Sequence, residues 1–142
     1  MAGNRRAPVY EVARLDPIEE CYRRGWTDGL PVVPPTVDRV TEMLDYAGLA
    51  PDLVLGEVAV RRRVLTAEQA AANAVMAGCL PSYFPVVLAT MEALFEYDPN
   101  CIHEASAATN SPGILILVNG PIRSRIGLNC TESLFSPGNR AN

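Results

Sequence analysis

The stretch Thr27–Thr36, TDGLPVVPPT, limits the fold of this chain more than any other part of its sequence. It contains three prolines and one glycine around a pair of valines. Because proline fixes φ and lacks a backbone N–H, such a run fits neither a helix interior nor a central strand. A stiff loop loses little conformational entropy when it is ordered, so we expect a preformed wall of a pocket or of a subunit contact. Asp28 is its one carboxylate, able to accept a proton or orient a substrate, or instead to bond nearby backbone amides.

Composition narrows the class of protein. A chain of 142 residues with 49% hydrophobic and 20% charged residues suits one globular domain with a real core. The net charge of −4 argues against a nucleic-acid partner, and the apolar stretches are too short or too interrupted to span a bilayer. The N-terminus lacks the apolar core of a secretory signal, and the four cysteines form no CxxC pair. We therefore expect a cytoplasmic protein with free thiols that binds neither nucleic acid nor membrane.

Capping residues and apolar spacing predict a mixed α/β fold with a helix-rich middle and a short sheet. Because the apolar run Gly113–Val118 has few candidate strands of its own to pair with, we expect a partner chain to complete the domain. Residues 1–14 are expected to form an N-terminal arm, and residues 15–142 a single domain. Four helices are predicted: Ile18–Gly25 behind Asp16-Pro17, Val37–Ala47 behind Thr36, Thr66 to about Ala77 with a Gln69 capping box, and one starting at Pro81. Strands are predicted at Leu53–Val60 and at the apolar run Gly113–Val118, with a partner strand near Ile122–Leu128.

The alanine-rich helix and the residues that follow it hold several candidate functional groups. Small side chains let another backbone approach closely, and Asn73 is the polar exception, expected as a buried amide bonded to a neighbouring loop rather than to a ligand. Cys79 lies between Gly78 and the helix predicted to start at Pro81. Helix N-termini lower thiol pKa values, so Cys79 is a candidate nucleophile, metal ligand or redox thiol, with a buried structural cysteine as the alternative. Tyr83 either presents its phenol to the same space or packs in the core.

Further candidates lie toward the C-terminus. His103 is the only histidine, and with Cys101 it could form part of a metal site that Cys79, Cys130 or another chain would complete. A hydrogen-bonded surface or interface histidine is the alternative. Asn119 and Asn129 stand in a segment dense in turn formers and amides, and are candidate substrate contacts. The residues do not identify a cofactor, although a metal bound through Cys and His is one interpretation.

Five segments of the chain occur in a specific order: Arg24–Thr36, Ala72–Cys79, Pro85–Val87, Val118–Ile122 and Gly138–Asn142. Together they resemble a poorly characterised bacterial family, often encoded beside a small (seleno)protein family with a Sec/Cys-Gly-Ser-Cys motif. The resemblance covers nearly this whole chain but less than half of a typical member, and Asn139 replaces a larger residue of the family pattern. It implies a second protein subunit that supplies the missing C-terminal half.

Two hypotheses of different class follow. In the first, the chain is a subunit of a heteromeric bacterial enzyme acting on a small polar molecule, by thiol-, metal- or acid–base-dependent chemistry. Its candidate catalytic residues are Asp28, Cys79 and His103, and its candidate substrate contacts are Asn73, Tyr83, Asn119 and Asn129. In the second, the chain is a non-catalytic assembly subunit that scaffolds a catalytic partner. Amides and thiols beside turns favour the first.

Overall fold

The computed structural model describes residues 6–11, 16–97, 102–103, 105, 107, 109, 113–132, 134 and 139–142. The elements are α1 (Pro17–Arg23), α2 (Val37–Ala47), β1 (Val54–Val58), β2 (Arg63–Thr66), α3 (Ala67–Met76), α4 (Phe84–Tyr97) and α5 (Pro121–Arg125). Short 3-10 turns at Ala59–Arg61 and Pro81–Tyr83 precede β2 and α4. The predicted mixed α and β class, with a helix-rich middle and a small sheet, is confirmed.

The helices α1, α2 and α3 begin where the sequence predicts their caps, whereas the helix predicted to start at Pro81 begins as a 3-10 turn and becomes α4 only at Phe84. Asp16 and Thr36 each accept a backbone N–H of the helix that follows. At α3, Thr66 Oγ1 accepts from the Gln69 N–H at 3.3 Å, and Gln69 Oε1 accepts from the Thr66 N–H at 3.1 Å, a reciprocal capping box. Gly48 ends α2 in the left-handed conformation, with φ of 66°. These local signals are therefore confirmed.

The core lies where α2 packs on α3. Helix α3 contributes four buried alanines, Ala67, Ala70, Ala71 and Ala74, to the cluster in which it contacts α2. Phe84, with none of its surface exposed, fills the space beneath them at the start of α4. The buried residues of this cluster are Val40, Met43, Leu44, Ala67, Ala70, Ala71, Ala74, Val75 and Phe84.

The sheet is an antiparallel hairpin of β1 and β2. Val58 pairs with Arg63 and Val54 with Thr66, and the register shifts between Val54 and Gly56. The strand expected at Leu53–Val60 is confirmed with shorter bounds. The predicted interruption at Gly56 is wrong, because Gly56 pairs with Leu65 and the irregularity falls at Leu55, one residue earlier. The sequence did not predict β2, because its arginine-rich start hides the strand pattern.

The second predicted sheet region is wrong. Residues 113–119 belong to no strand, and the expected partner strand near Ile122–Leu128 begins instead as the helix α5. Gly120, with φ of 85°, turns the chain, and Pro121 then occupies the first helical position, where its fixed φ favours a helix. Without that partner, the apolar run lacks a strand with which to pair in the described part of the chain.

Part of the expected N-terminal arm lies against the domain. Arg6 Nε donates to Glu68 Oε1 at 3.0 Å, and the Ala7 N–H donates to Glu68 Oε2 at 2.6 Å. Glu68 is only 8% exposed, so these bonds satisfy a buried carboxylate. Residues 1–5 and 12–14 of the arm lie outside the described residues.

Substituting Gly56 tests the contact between the hairpin and α4. A Cβ built at Gly56 meets the ring of Phe95 at well under contact distance, so Gly56→Ala should lower the free energy of unfolding by about 1–3 kcal/mol through overpacking. Chemical denaturation followed by circular dichroism measures the loss. Gly113→Ala is the control, because no atom lies within 4 Å of its added Cβ. If Gly56→Ala is as stable as Gly113→Ala, the described packing of Phe95 is wrong; Phe95→Leu should restore part of the loss.

Candidate functional site

The proline loop crosses the carboxyl end of α3. The Val33 N–H donates to the Met76 carbonyl at 3.2 Å, which joins the middle of the loop to the last residue of the helix. Residues 31–34 then line an open cavity of about 400 Å³, together with Ile18, Arg39 and residues 76–78. The stiff segment is therefore one wall of a cavity.

The corner that carries Cys79 is set by a Schellman motif at the end of α3. Gly78 has φ of 84° and donates to the Val75 carbonyl at 2.8 Å, while the Cys79 N–H donates to the Ala74 carbonyl at 2.9 Å. The half-buried Cys79 lines a second cavity of about 270 Å³. Its walls include Val33, Arg39, Glu42, Leu80, Pro81 and Arg140. We call this second cavity the Cys79 cleft.

A C-terminal segment closes one side of the Cys79 cleft. Arg140 Nε donates to the Gly78 carbonyl at 2.7 Å, next to the thiol. Asn139 and Asn142 hold this segment in place: Asn139 Nδ2 donates to the Gly127 carbonyl at 3.2 Å, and Asn142 Oδ1 accepts from the Asn129 N–H at 2.8 Å. The amide-rich stretch thus positions an arginine.

The predicted lowering of the Cys79 pKa is wrong. Burial raises the pKa of this thiol, and the charge of Arg140 acts in the opposite direction without cancelling the effect. Cys79 follows the carboxyl end of α3 and precedes a 3-10 turn, and α4 begins only at Phe84. It therefore lies just before the cap residue Leu80 of that 3-10 turn and outside the first turn of α4.

Two other predicted groups lie on the surface. Asn73 is exposed, and its Nδ2 donates to the Gln69 carbonyl of its own helix at 2.8 Å, so its expected role as a buried amide bonded to a loop is wrong. Asp28 is exposed as well, and Thr27 Oγ1 bonds the Leu30 carbonyl and the Gly29 N–H instead. In the described part of the chain the Asp28 carboxylate makes no hydrogen bond, so it does not brace the loop.

His103 lies away from the Cys79 cleft. Its Nδ1 accepts a hydrogen bond from Arg61 Nε at 2.9 Å, and it lines neither cavity. Cys101, its proposed companion in a metal site, lies outside the described residues. Among the residues that are described, no group of three or more His, Cys, Asp and Glu side chains is placed to hold a metal ion.

The remaining candidates have mainly local contacts. Tyr83 is half-buried at the end of the 3-10 turn, and Asn119 is exposed before Gly120. The side-chain amide of Asn129 bonds its own loop: Nδ2 donates to the Glu132 carbonyl at 3.0 Å, and Oδ1 accepts from the Thr131 N–H at 3.1 Å. None of the three lines either cavity.

The sequence reasoning missed the two arginines of the Cys79 cleft. Arg39 stands in the first turn of α2, directly after the proline loop, and its Nη1 donates to the Pro34 carbonyl at 3.3 Å. Arg140 is the one charged residue of the stretch 136–142. Arg39 could have been predicted, because it is close in sequence to the proline loop. Arg140 could not, because only the tertiary structure brings it to Gly78.

Comparison with known proteins adds no further assignment. A scan against protein-family models, a search of curated proteins and a search of solved structures each found no match. In the part of the chain that the structure describes, no helix is both long enough and apolar enough to cross a membrane.

The pH dependence of alkylation tests the environment of Cys79. Because burial raises its pKa, the rate–pH profile with neutral iodoacetamide should have its midpoint above about 8.5, the value of an unperturbed thiol. Arg140→Gln should move the midpoint higher, since the lost charge favours the thiolate. Peptide-resolved mass spectrometry measures both, with Arg63→Gln as the matched control. A midpoint below that of exposed Cys130 would contradict this account of the cleft.

Proposed function

We propose that this chain is a subunit of a heteromeric bacterial enzyme of the cytoplasm that acts on a small polar molecule at the Cys79 cleft. One observation carries the proposal. Three segments that are far apart in sequence converge on one cleft: the proline loop at Val33, the corner Gly78–Pro81, and Arg140. The Val33 N–H bonds the carbonyl of Met76 just before the corner, and the Arg140 side chain bonds the Gly78 carbonyl within it, which supports a preformed site rather than a chance surface depression.

The side chains of the cleft favour thiol-dependent chemistry. Among the described residues that line the cleft, Cys79 is the one thiol, and Arg39 and Arg140 are the cationic groups. Because burial raises the Cys79 pKa, the thiol keeps its proton near neutral pH in this chain. A nucleophilic role therefore requires a base, which Glu42 of the same cleft, the substrate or a second subunit can supply.

A second subunit is also supported by residues 113–118. Leu115 and Leu117 are 66% and 79% exposed, and Ile114 and Ile116 between and beside them are exposed too. A run of consecutive aliphatic residues is typical of a strand that other elements cover on both faces. In this chain the same residues are exposed. In the described part of the chain, the backbone of residues 113–119 makes no hydrogen bond. We infer that a partner chain pairs with this segment and covers it, in keeping with the subunit implied by the family resemblance.

The same segment favours the alternative function. An assembly subunit needs an apolar docking segment but no reactive thiol, so the chain could scaffold a catalytic partner without entering the reaction. The two functions differ in what they require of Cys79.

Association should depend on the apolar segment. Expressed alone, the chain should self-associate as its concentration rises, because exposed, unpaired apolar backbone is prone to aggregate. The double variant Leu115→Lys, Leu117→Lys should self-associate less. With its partner, identified among the products of neighbouring genes, the chain should form a stoichiometric complex burying about 2,000 Å² or more, and the double variant should lose it.

Size-exclusion chromatography with light scattering measures both effects. Val60→Lys is the matched control, since Val60 is an exposed aliphatic residue outside the segment. A cooperatively melting wild-type monomer at high concentration would contradict the requirement for a partner.

Turnover by the complex separates the two functions. Under the enzyme proposal, Cys79→Ser should lower kcat by roughly a hundredfold or more, because a hydroxyl is a far weaker nucleophile near neutral pH. The melting temperature of the complex should change little. His103→Gln is the comparison variant: its imidazole lines neither cavity, so its effect should be smaller. Full activity of Cys79→Ser would favour the assembly role instead.

A further inference from the structure

The Cys79 cleft holds two arginines whose charges are not neutralised by ion pairs. The ion pairs of the described residues join Arg6 to Glu68 and two other arginines to Glu20. Arg39 and Arg140 make none of them, and each has one hydrogen bond, to a backbone carbonyl. A guanidinium carries five N–H donors, so most of the donors of these two side chains are left for another acceptor.

The carbonyl bonds also restrict where the two guanidinium groups lie. Arg39 is held to the proline loop through Pro34, and Arg140 to the corner through Gly78. Gly78 lines the Cys79 cleft directly before Cys79, whereas Pro34 lines the neighbouring cavity of about 400 Å³. The side chain of Arg39 borders both cavities. Planar, anchored guanidinium groups suit carboxylates and other oxyanions better than flexible lysines would.

The formal charge and the volume of the Cys79 cleft limit which class of anion can bind there. Glu42 also lines the cleft, so two arginines and one glutamate leave a formal charge of +1. This balance matches a monocarboxylate, whereas a phosphate group carries about −1.5 to −2 charges near neutral pH. A volume of about 270 Å³ is the space of about nine water molecules at roughly 30 Å³ each. Much of the remaining wall is apolar, from Val33, Leu80 and Pro81.

We propose that the Cys79 cleft binds a small monocarboxylate, with the carboxylate at Arg39 and Arg140 and an apolar body against Leu80 and Pro81. That the monocarboxylate is a substrate rests on the proposed function. Its binding to the cleft does not depend on turnover and can be tested separately. Binding there places the ligand beside the Cys79 thiol.

Paired alkylating reagents test the proposal. Iodoacetate and iodoacetamide react alike: the thiolate sulfur attacks the methylene carbon, iodide leaves, and the thiol proton goes to solvent. Only iodoacetate carries a carboxylate. The rate ratio of iodoacetate to iodoacetamide, measured per cysteine by mass spectrometry on the full chain with any co-purifying subunit, should be roughly tenfold higher at Cys79 than at exposed Cys130. The excess should fall as salt is added.

Substitutions identify the groups responsible. Arg39→Gln and Arg140→Gln should each lower the ratio at Cys79 and leave Cys130 unchanged, with Arg63→Gln on β2 as the control that alters neither. Circular dichroism confirms that each variant is folded. Equal ratios at Cys79 and Cys130, or a Cys79 ratio unaffected by both substitutions, would overturn the proposal.

Competition assigns the class of anion. Butyrate should protect Cys79 from iodoacetamide at lower concentration than phosphate or sulfate, because its single charge and apolar chain match the cleft. Stronger protection by phosphate would overturn the carboxylate assignment. The assay is independent of turnover: a Cys79→Ser complex that loses activity, with no iodoacetate preference in the wild type, would remove this anion site and leave the enzyme proposal standing.

Discussion

The close packing of α2 on the alanine face of α3 is the contact on which the rest of the structure depends. It places Thr66 and the β1–β2 hairpin at one end of α3, and Gly78 and Cys79 at the other. Larger side chains at Ala71 or Ala74, which are both buried, would separate the helices and displace both ends. The geometry of the Cys79 cleft therefore depends on residues that do not line it.

Two buried carboxylates hold outer parts of the structure: Glu68 joins the N-terminal arm to α3, and Glu20 bonds arginines at the end of its own helix, α1. Glu20, 4% exposed, bonds Arg23 and Arg24, and Glu68 bonds Arg6 and Ala7. Burial alone would raise the pKa of each, but the hydrogen bonds and charges outweigh it and leave both pKa values lowered. A lowered folded-state pKa stabilises the fold above the unfolded value of 4.5, and this contribution is lost as pH falls through the folded pKa. Acid should thus release the arm from α3.

The chemical properties of the Cys79 cleft come from several segments that meet there rather than from any one sequence motif. The proline loop and the Schellman corner follow from local signals, whereas Asn139 and Asn142 hold the C-terminal segment through bonds to Gly127 and Asn129. Only their meeting brings two guanidinium groups beside a thiol that is still protonated near neutral pH. We propose that such a site binds an anion first and completes its chemistry with groups from another chain, so that the exposed segment 113–118 and the cleft belong to one functional proposal.

The sequence by itself determined what depends on neighbours along the chain. Helices start at Asp16, Thr36 and Thr66 because these side chains bond N–H groups two or three residues away. The helix α2 ends at Gly48 because glycine adopts positive φ without strain. The strand predicted at Gly113–Val118 failed because a strand requires a partner, which a run of aliphatic residues cannot specify. Tertiary structure alone decided that Arg140 reaches Gly78 and that burial raises the Cys79 pKa, since both depend on segments distant in sequence that the folded core brings together.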